Sequence, residues 1–424
     1  MNSSKLKKVN SKRSDSSTMT DSRRRLRQRS TTVSFETRAI ICLIGILWGW
    51  MFLFFVAYFG YFRSSGIQVQ KTVQVVSGGS SPLVIITYKR ANYLNETLHN
   101  VYENISPGCT FACPIIISED GRHGGINDIV HSYKGKFETK GIPLIHIHHR
   151  QQVRTNPYVA LARHYGWALS MVFKGKIDEE TISFNFDPSR AIILEEDIKV
   201  APDFFTYMES TSAQLDKDPT LYAVSAFNDN GHVDNCDPKR LLRSDFFPGL
   251  GWMMTKYLWD NELKSNWAPN GYWDDWFRDP EQRKNRQIIR PELSRSYHFG
   301  TTGGTSHNQF GTILKRIQLN QRPIRWELED LTYLNDVSYS KDYTKLVMSS
   351  ALVNTLDEAK VLAETDNVRI EYDGYPQFRS LAKKIGIMDD EKSMVPRTAY
   401  KGIVETRQGK NLLFLSPKGV FVGY

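Results

Sequence analysis

The chain has 424 residues, 40% of them hydrophobic and 24% charged, with a net charge of +9 at pH 7 and four cysteines. Four cysteines are few for a secretory domain of this size, and the length accommodates one large domain or a large and a small one. The positive charge does not point to nucleic acid: residues 1–38 hold eleven Lys/Arg against three acids and so carry eight of the nine charges.

In chain order, the basic tail is followed by Ala39 to Phe62, an uninterrupted run rich in Ile, Leu, Phe and Trp without a charged residue. Its length suits a bilayer core, which needs about 20 apolar residues, and exceeds the roughly 7–15 of a cleaved signal peptide. Basic flanks stay cytosolic, so a type II topology is expected, with residues 39–62 as a transmembrane signal anchor and everything after Arg63 across the membrane. Residues 63–81 read as a short stem that ends Gly/Ser-rich. Cys109, Cys113 and Cys236 would face an oxidising lumen, where an odd count leaves at least one without an intrachain partner. Asn95-Glu96-Thr97 and Asn104-Ile105-Ser106 are glycosylation sequons on that side.

Pro82 opens an apolar β-prone run, Leu83 to Thr87, and Leu94, Leu98 and Val101 then recur at helical spacing. Strands are expected at Ile115–Ile117, Leu144–Ile147, Ala191–Leu194 and Leu221–Phe227, with helices over Tyr158–Phe173 and after Pro202. Strands alternating with helices predict an α/β fold built on a mostly parallel, doubly wound sheet. No glycine motif of the dinucleotide or P-loop type follows the first strand, so metal and basic side chains must hold the phosphates of any bound nucleotide.

The fourth strand ends in Glu195-Glu196-Asp197. Ligands of open α/β sheets bind beyond the carboxyl ends of strands, and adjacent hard oxygens suit Mg²⁺ or Mn²⁺. A solvated acidic turn would have the same sequence. Lys89-Arg90 and Glu119-Asp120 close the first two strands and would line the same crevice. Residues 245–310 are dense in aromatics and acids: Asp245 to Trp252 reads as a turn-rich loop, and Trp273-Asp274-Asp275-Trp276 sets two carboxylates between tryptophans. Such a pair can stack on a sugar and accept a hydroxyl proton, or can belong to a helix with core aromatics and capping acids. Ser294 to His307 reads as a Gly/Thr/Ser loop able to close over a phosphate, with His298 and His307 as further ligand candidates.

Taken together, LARHY (161–165), LEEDIKVAPDFF (194–205), VSAFNDNG (224–231), DFFPGLGW (245–252), WDDW (273–276), PEQR (280–283), SHNQF (306–310) and KSMVPRTAYKGIV (392–404) resemble the family of β-1,2-N-acetylglucosaminyltransferase I, from about Leu83 to Pro417. The resemblance implies a GT-A-like nucleotide-sugar-binding domain over 82–335, and a smaller, β-rich domain is expected over 336–424, where Gly402–Val404 and Leu412–Leu415 read as short strands. It implies an inverting, Mn²⁺-dependent transfer of N-acetylglucosamine from UDP-GlcNAc in β-1,2 linkage to the α-1,3 mannose arm of a high-mannose N-glycan on a glycoprotein, in the Golgi lumen. By position, Asp197 resembles the Mn²⁺ ligand and Asp274 the catalytic base. Arg90 and Asp120 resemble nucleoside contacts, His164 a further nucleotide contact, Glu196 a sugar-nucleotide contact usually made by Asp, and Ser306 part of the donor-closing loop. Two family disulfides fall at Tyr88 with Gly121 and Ala223 with Ile288, where both partners are absent together. Transfer to protein O-linked mannose, a different donor selected through Glu196, and a membrane-anchored lectin without turnover are the alternatives.

Overall fold

The structure is a computed structural model that describes residues 80–150, 156–178, 183–232, 234–302 and 311–419, with 44, 45 and 47–53. Residues 47–53 are helical, and among the described residues no helix is long and apolar enough to cross a membrane. The basic tail, much of the expected span, most of the stem, Ser306 and His307 lie outside the described residues.

Val73–Tyr424 forms one compact unit around an eight-stranded sheet. Strands β1 (Leu83–Thr87), β2 (Ile115–Asp120), β3 (Leu144–His149) and β4 (Arg190–Glu195) run parallel in the order β3-β2-β1-β4. After the short β5 (Ile198–Val200) come β6 (Leu221–Ser225), β7 (Leu241–Ser244), β8 (Trp252–Thr255) and β9 (Gln287–Pro291), which extend the sheet from β4 in the order β8-β6-β9-β7. Of these, β7 and β8 are antiparallel to their neighbours. β10 (Ser296–His298) pairs antiparallel with β5 just beyond the end of β4.

The apolar runs explain the layering. Every residue of β1 and β6 is buried, as a strand covered on both faces requires. Helices α1 (Ala91–Asn104), α2 (Gly124–Thr139) and, after α3 (Pro157–Phe173), α4 (Phe204–Lys217) cover one face with the first of three apolar clusters. Leu94, Leu98 and Val101 are the residues that α1 buries there. α3 covers the other face, together with an aromatic block that includes Trp252, Trp259, Trp273 and Phe277. Asn156 starts α3 by accepting from Tyr158 N at 2.9 Å, with Pro157 in the first turn. Burial of each such Leu, Ile or Phe side chain contributes about 1.5–3 kcal/mol.

From α6 (Asp336–Ser349, following the short α5, Trp273–Arg278) the chain builds a second sheet. Its strands β11 (Ala351–Val353), β12 (Val368–Tyr372), β13 (Val404–Gln408) and β14 (Asn411–Pro417) lie in the order β11-β12-β14-β13. The expectation of a β-rich segment is corrected here, because α6, α7 (Leu356–Leu362) and α8 (Gly374–Ile385) cover much of it. Tyr339, Tyr343 and Val347 recur at spacing four and bury one face of α6, a helical period in a stretch whose strands stood out more. The first cluster continues through Tyr343, Tyr400 and Phe414, so this segment packs on the main domain.

Ala223 and Ile288, at the positions of one family disulfide, are register partners on β6 and β9 and are fully buried. Apolar packing takes the place of a cross-link. Cys109 and Cys113 are free, partly buried thiols.

Candidate active site

The β1 and β4 ends lie side by side, and the turns that follow bring Arg90 to the three acids. Glu196 is 3% exposed and accepts from Thr87 Oγ1 and Arg90 Nε, and from Tyr88 N at 3.0 Å. Its carboxylate is used on protein partners: the longer side chain locks Arg90. Arg90 then reaches Asp197 Oδ2 with Nη2 at 2.8 Å. Lys89, by contrast, lies exposed over the ring of Tyr88.

Asp197 is 2% exposed, and His298 Nε2 on β10 lies 3.3 Å from the same Oδ2. Burial works against its charge, yet His298 and Arg90 together hold its carboxyl below the usual range. Its other oxygen, Oδ1, is buried without a hydrogen-bond partner. A buried anionic oxygen left unsatisfied is costly, and a divalent cation would satisfy it. Gly300 closes the other side: a Cβ there would stand 2.2 Å from Asp197 Oδ2, so only glycine allows this approach. Gly251 has φ +93 and would place a Cβ 3.3 Å from Leu194 Cδ2, the close backbone approach expected of the DFFPGLGW loop.

Glu195 points to the α3 face, where Tyr165 OH donates to its Oε1 at 2.8 Å. Burial, then the neighbouring charge of Asp197, pushes the Glu195 carboxyl up to about 7. The Tyr165 ring stacks on Trp273 with centroids 4.4 Å apart, and Trp273 stacks on Trp252 of β8 at 5.7 Å. This aromatic stack holds α5, and with it Asp274, beside the end of β4.

Arg278 Nη1 donates to Asp274 Oδ2 and to Asp275 Oδ1, each at 2.8 Å. Neither acid makes a capping bond to its helix, whose first turn follows Tyr272, so a capping role for Asp275 is not what the structure has. Asp275 instead takes a second cation, Lys392 Nζ at 3.0 Å. Burial opposes its charge, but Arg278 and Lys392 hold its carboxyl below the usual range. Asp274 has the single cation, and its side chain is 37% exposed. The carboxyl-terminal KSMVPRTAYKGIV block thus braces α5: beside Lys392, Ser393 Oγ donates to Asp279 at 2.6 Å.

At the β2–β3 end, Asp120 Oδ1 takes a bond from His149 Nδ1 at 2.8 Å, and the His149 ring stacks on His164 with centroids 5.5 Å apart. His164 is 1% exposed and its Nε2 lies 2.8 Å from Ser118 Oγ. It therefore reaches the crevice through His149 rather than as a direct contact. The Gly/Thr loop is tied down at its start, where Tyr93 OH accepts from Thr301 N at 3.1 Å and Arg90 Nη1 donates to Thr302 O at 3.2 Å.

Reading the residues singly missed Tyr165, His149 and Lys392 as parts of the site. Tyr165 and Lys392 end and begin recognised blocks and His149 ends a strand, and only the fold shows what each touches.

A mixed sheet with parallel strands, clustered acids and a bound arginine beyond its strand ends, beside an aromatic-flanked carboxylate pair, is an architecture that suits a glycosyltransferase. The chain belongs to the GNT-I family, which matches residues 63–424. It is 37% identical over 339 residues, 79% of this chain and 73% of the other, to the alpha-1,3-mannosyl-glycoprotein 2-beta-N-acetylglucosaminyltransferase of Arabidopsis thaliana. Among solved structures it is similar to the glucosyl-3-phosphoglycerate synthase of Mycobacterium tuberculosis in complex with Mn²⁺ and UDP, with TM-score 0.32, 11% identity, and 57% and 81% of the two chains covered. It is also similar to a mannosyltransferase of Pyrobaculum calidifontis in complex with GDP-Man and Mn²⁺, with TM-score 0.30, 11% identity, and 73% and 88% covered. Both structural likenesses are remote.

Proposed function

We propose that this glycosyltransferase moves N-acetylglucosamine from UDP-GlcNAc in β-1,2 linkage onto the α-1,3 mannose arm of a high-mannose N-glycan, the step that starts hybrid and complex N-glycans. The observation that carries the reading is the buried, unsatisfied Oδ1 of Asp197 at the end of β4, flanked by Arg90. Mn²⁺ held there would supply Lewis-acid neutralisation of the diphosphate leaving group. Arg90, fixed by Glu196, adds a permanent positive charge to the same crevice, and Asp120, held by His149, offers an acceptor to the nucleoside.

In the transfer, the acceptor 2-hydroxyl oxygen bonds to C1 of the donor as the bond from C1 to the diphosphate oxygen breaks, with inversion. Asp274 takes the hydroxyl proton and UDP departs. Asp274 suits this role because it is the more lightly compensated acid of its pair, with Arg278 alone against the Arg278 and Lys392 of Asp275. Steady-state kinetics of two variants tests the assignment. Asp274→Asn should lower kcat by about 10²-fold or more with donor KM little changed. Asp275→Asn should retain far more turnover and lose thermal stability, since it frees Lys392. The reverse pattern would show that the base is Asp275.

The charge asymmetry around Ala39–Phe62 supports a type II anchor in the Golgi membrane with the enzyme domain in the lumen.

A further inference from the structure

We infer that Glu119, His146 and His148 form a second divalent-metal site, suited to Zn²⁺, at the β2–β3 edge of the sheet. Glu119 and Asp120 are consecutive on β2 and so point to opposite faces, as do His148 and His149 on β3. Asp120 and His149 serve the crevice on the α3 face. Glu119, His146 and His148 project together to the other face, under α2, and the proposed reaction uses none of them.

Three observations point to a cation. Glu119 is completely buried, a location a carboxylate occupies only when paired or coordinated. Its Oε2 lies 2.9 Å from His146 Nε2 and 3.2 Å from His148 Nδ1. Yet Glu119 Oε2 and His146 Nε2 are each buried without a hydrogen bond, so their close contact lacks the alignment of one. The three ligand atoms all lie within 4.8 Å of one another. Ligands at Zn–N and Zn–O distances of about 2.0–2.2 Å in a tetrahedral shell stand roughly 3.3–3.5 Å apart, so the two short separations need open by only a few tenths of an ångström. Two imidazoles and one carboxylate are the donor set of borderline transition cations rather than of Mg²⁺ or Ca²⁺, and a water would complete the shell.

The remaining partners fit a metal as well. Glu119 Oε1 is held separately, by His123 N at 2.5 Å and His123 Nδ1 at 2.9 Å, so the carboxylate is oriented by a group outside the three ligands. His148 Nδ1 also lies 3.3 Å from Gly121 O, a long contact that the ion would replace. Bound there, the cation would clamp β3, the edge strand, to β2 beside the His149–Asp120 pair.

Zinc content decides the matter. The purified full chain is stripped with chelator, saturated with Mn²⁺ to fill the Asp197 site, dialysed against micromolar free Zn²⁺, and its zinc is counted by mass spectrometry. The wild type should retain one zinc and show a raised melting temperature with zinc, and Co²⁺ in its place should give visible d–d absorption. His148 is the most accessible ligand, its side chain 23% exposed, so His148→Gln should stay folded and weaken zinc binding about tenfold or more. Glu119→Gln should do the same, with folding of both checked by circular dichroism in chelator. Absence of zinc from the wild type, or equal zinc in the wild type and the folded variants, would overturn the site. Glycosyl transfer through Asp197 and Asp274 stands or falls separately.

Discussion

Replacing His164 by Gln should remove a defined part of the protein's sensitivity to acid. The imidazole is buried against Ser118 and His149, and burial pulls its pKa down from 6.5 to about 4, with the charge of Asp120 opposing that shift. The folded chain therefore keeps His164 neutral while the unfolded chain takes up a proton below pH 6.5. Stability present above pH 6.5 is lost as the pH falls towards 4. Between pH 7 and pH 5 this linkage amounts to about 2 kcal/mol for one group with these two pKa values. Gln keeps a polar atom for Ser118 Oγ but does not titrate, and the carboxylates that also titrate do so alike in both proteins. Urea unfolding followed by tryptophan fluorescence at pH 7 and pH 5 reads the difference. The wild type should lose about 2 kcal/mol more than His164→Gln over that interval. Equal losses would refute the claim that His164 is held neutral in the fold.

Three further outcomes are expected, two from the same geometry and one from the charge asymmetry of the sequence. Asp197→Ala should abolish Mn²⁺-dependent donor binding in calorimetry with the domain still folded, and unchanged donor affinity would remove Asp197 as the ligand. Gly300→Ala would set a Cβ 2.2 Å from Asp197 Oδ2, so donor binding should weaken about tenfold or more while the melting temperature changes little; full affinity would show that this approach is not needed. A carboxyl-terminal tag should be protected from protease in intact vesicles, and cleavage there would contradict the proposed type II topology.

Much of this was legible in the chain. The runs Leu83–Thr87, Ile115–Ile117 and Ala191–Leu194 announced three of the four parallel strands because burial on both faces leaves continuous apolar stretches, and Leu144–Ile147, broken by His146, announced the edge strand. The acids after β4 and Arg90 after β1 were readable as a crevice because strand ends converge in this class of fold. What pairing each acid has was not readable. Glu195, Glu196 and Asp197 are adjacent in sequence but face a tyrosine, an arginine, and a histidine with an open side, respectively. Backbone turn geometry decides that, and spacing does not report it. Asp274 and Asp275 show the converse: successive helical positions separated by about 100° still meet at one guanidinium, because Arg278 one turn on can span both. The helices of the carboxyl-terminal sheet were missed since their apolar stripes, such as Tyr339-Tyr343-Val347, are thin and interrupted by charge.

The most direct test of the central claim is transfer itself. The purified chain is given UDP-GlcNAc with a five-mannose N-glycan or with a mannosyl peptide, in the presence and absence of Mn²⁺. The expected result is β-1,2 transfer to the N-glycan, dependent on Mn²⁺ and lost in Asp197→Ala. Transfer only to the mannosyl peptide, transfer indifferent to Mn²⁺, or no transfer to either acceptor would contradict it.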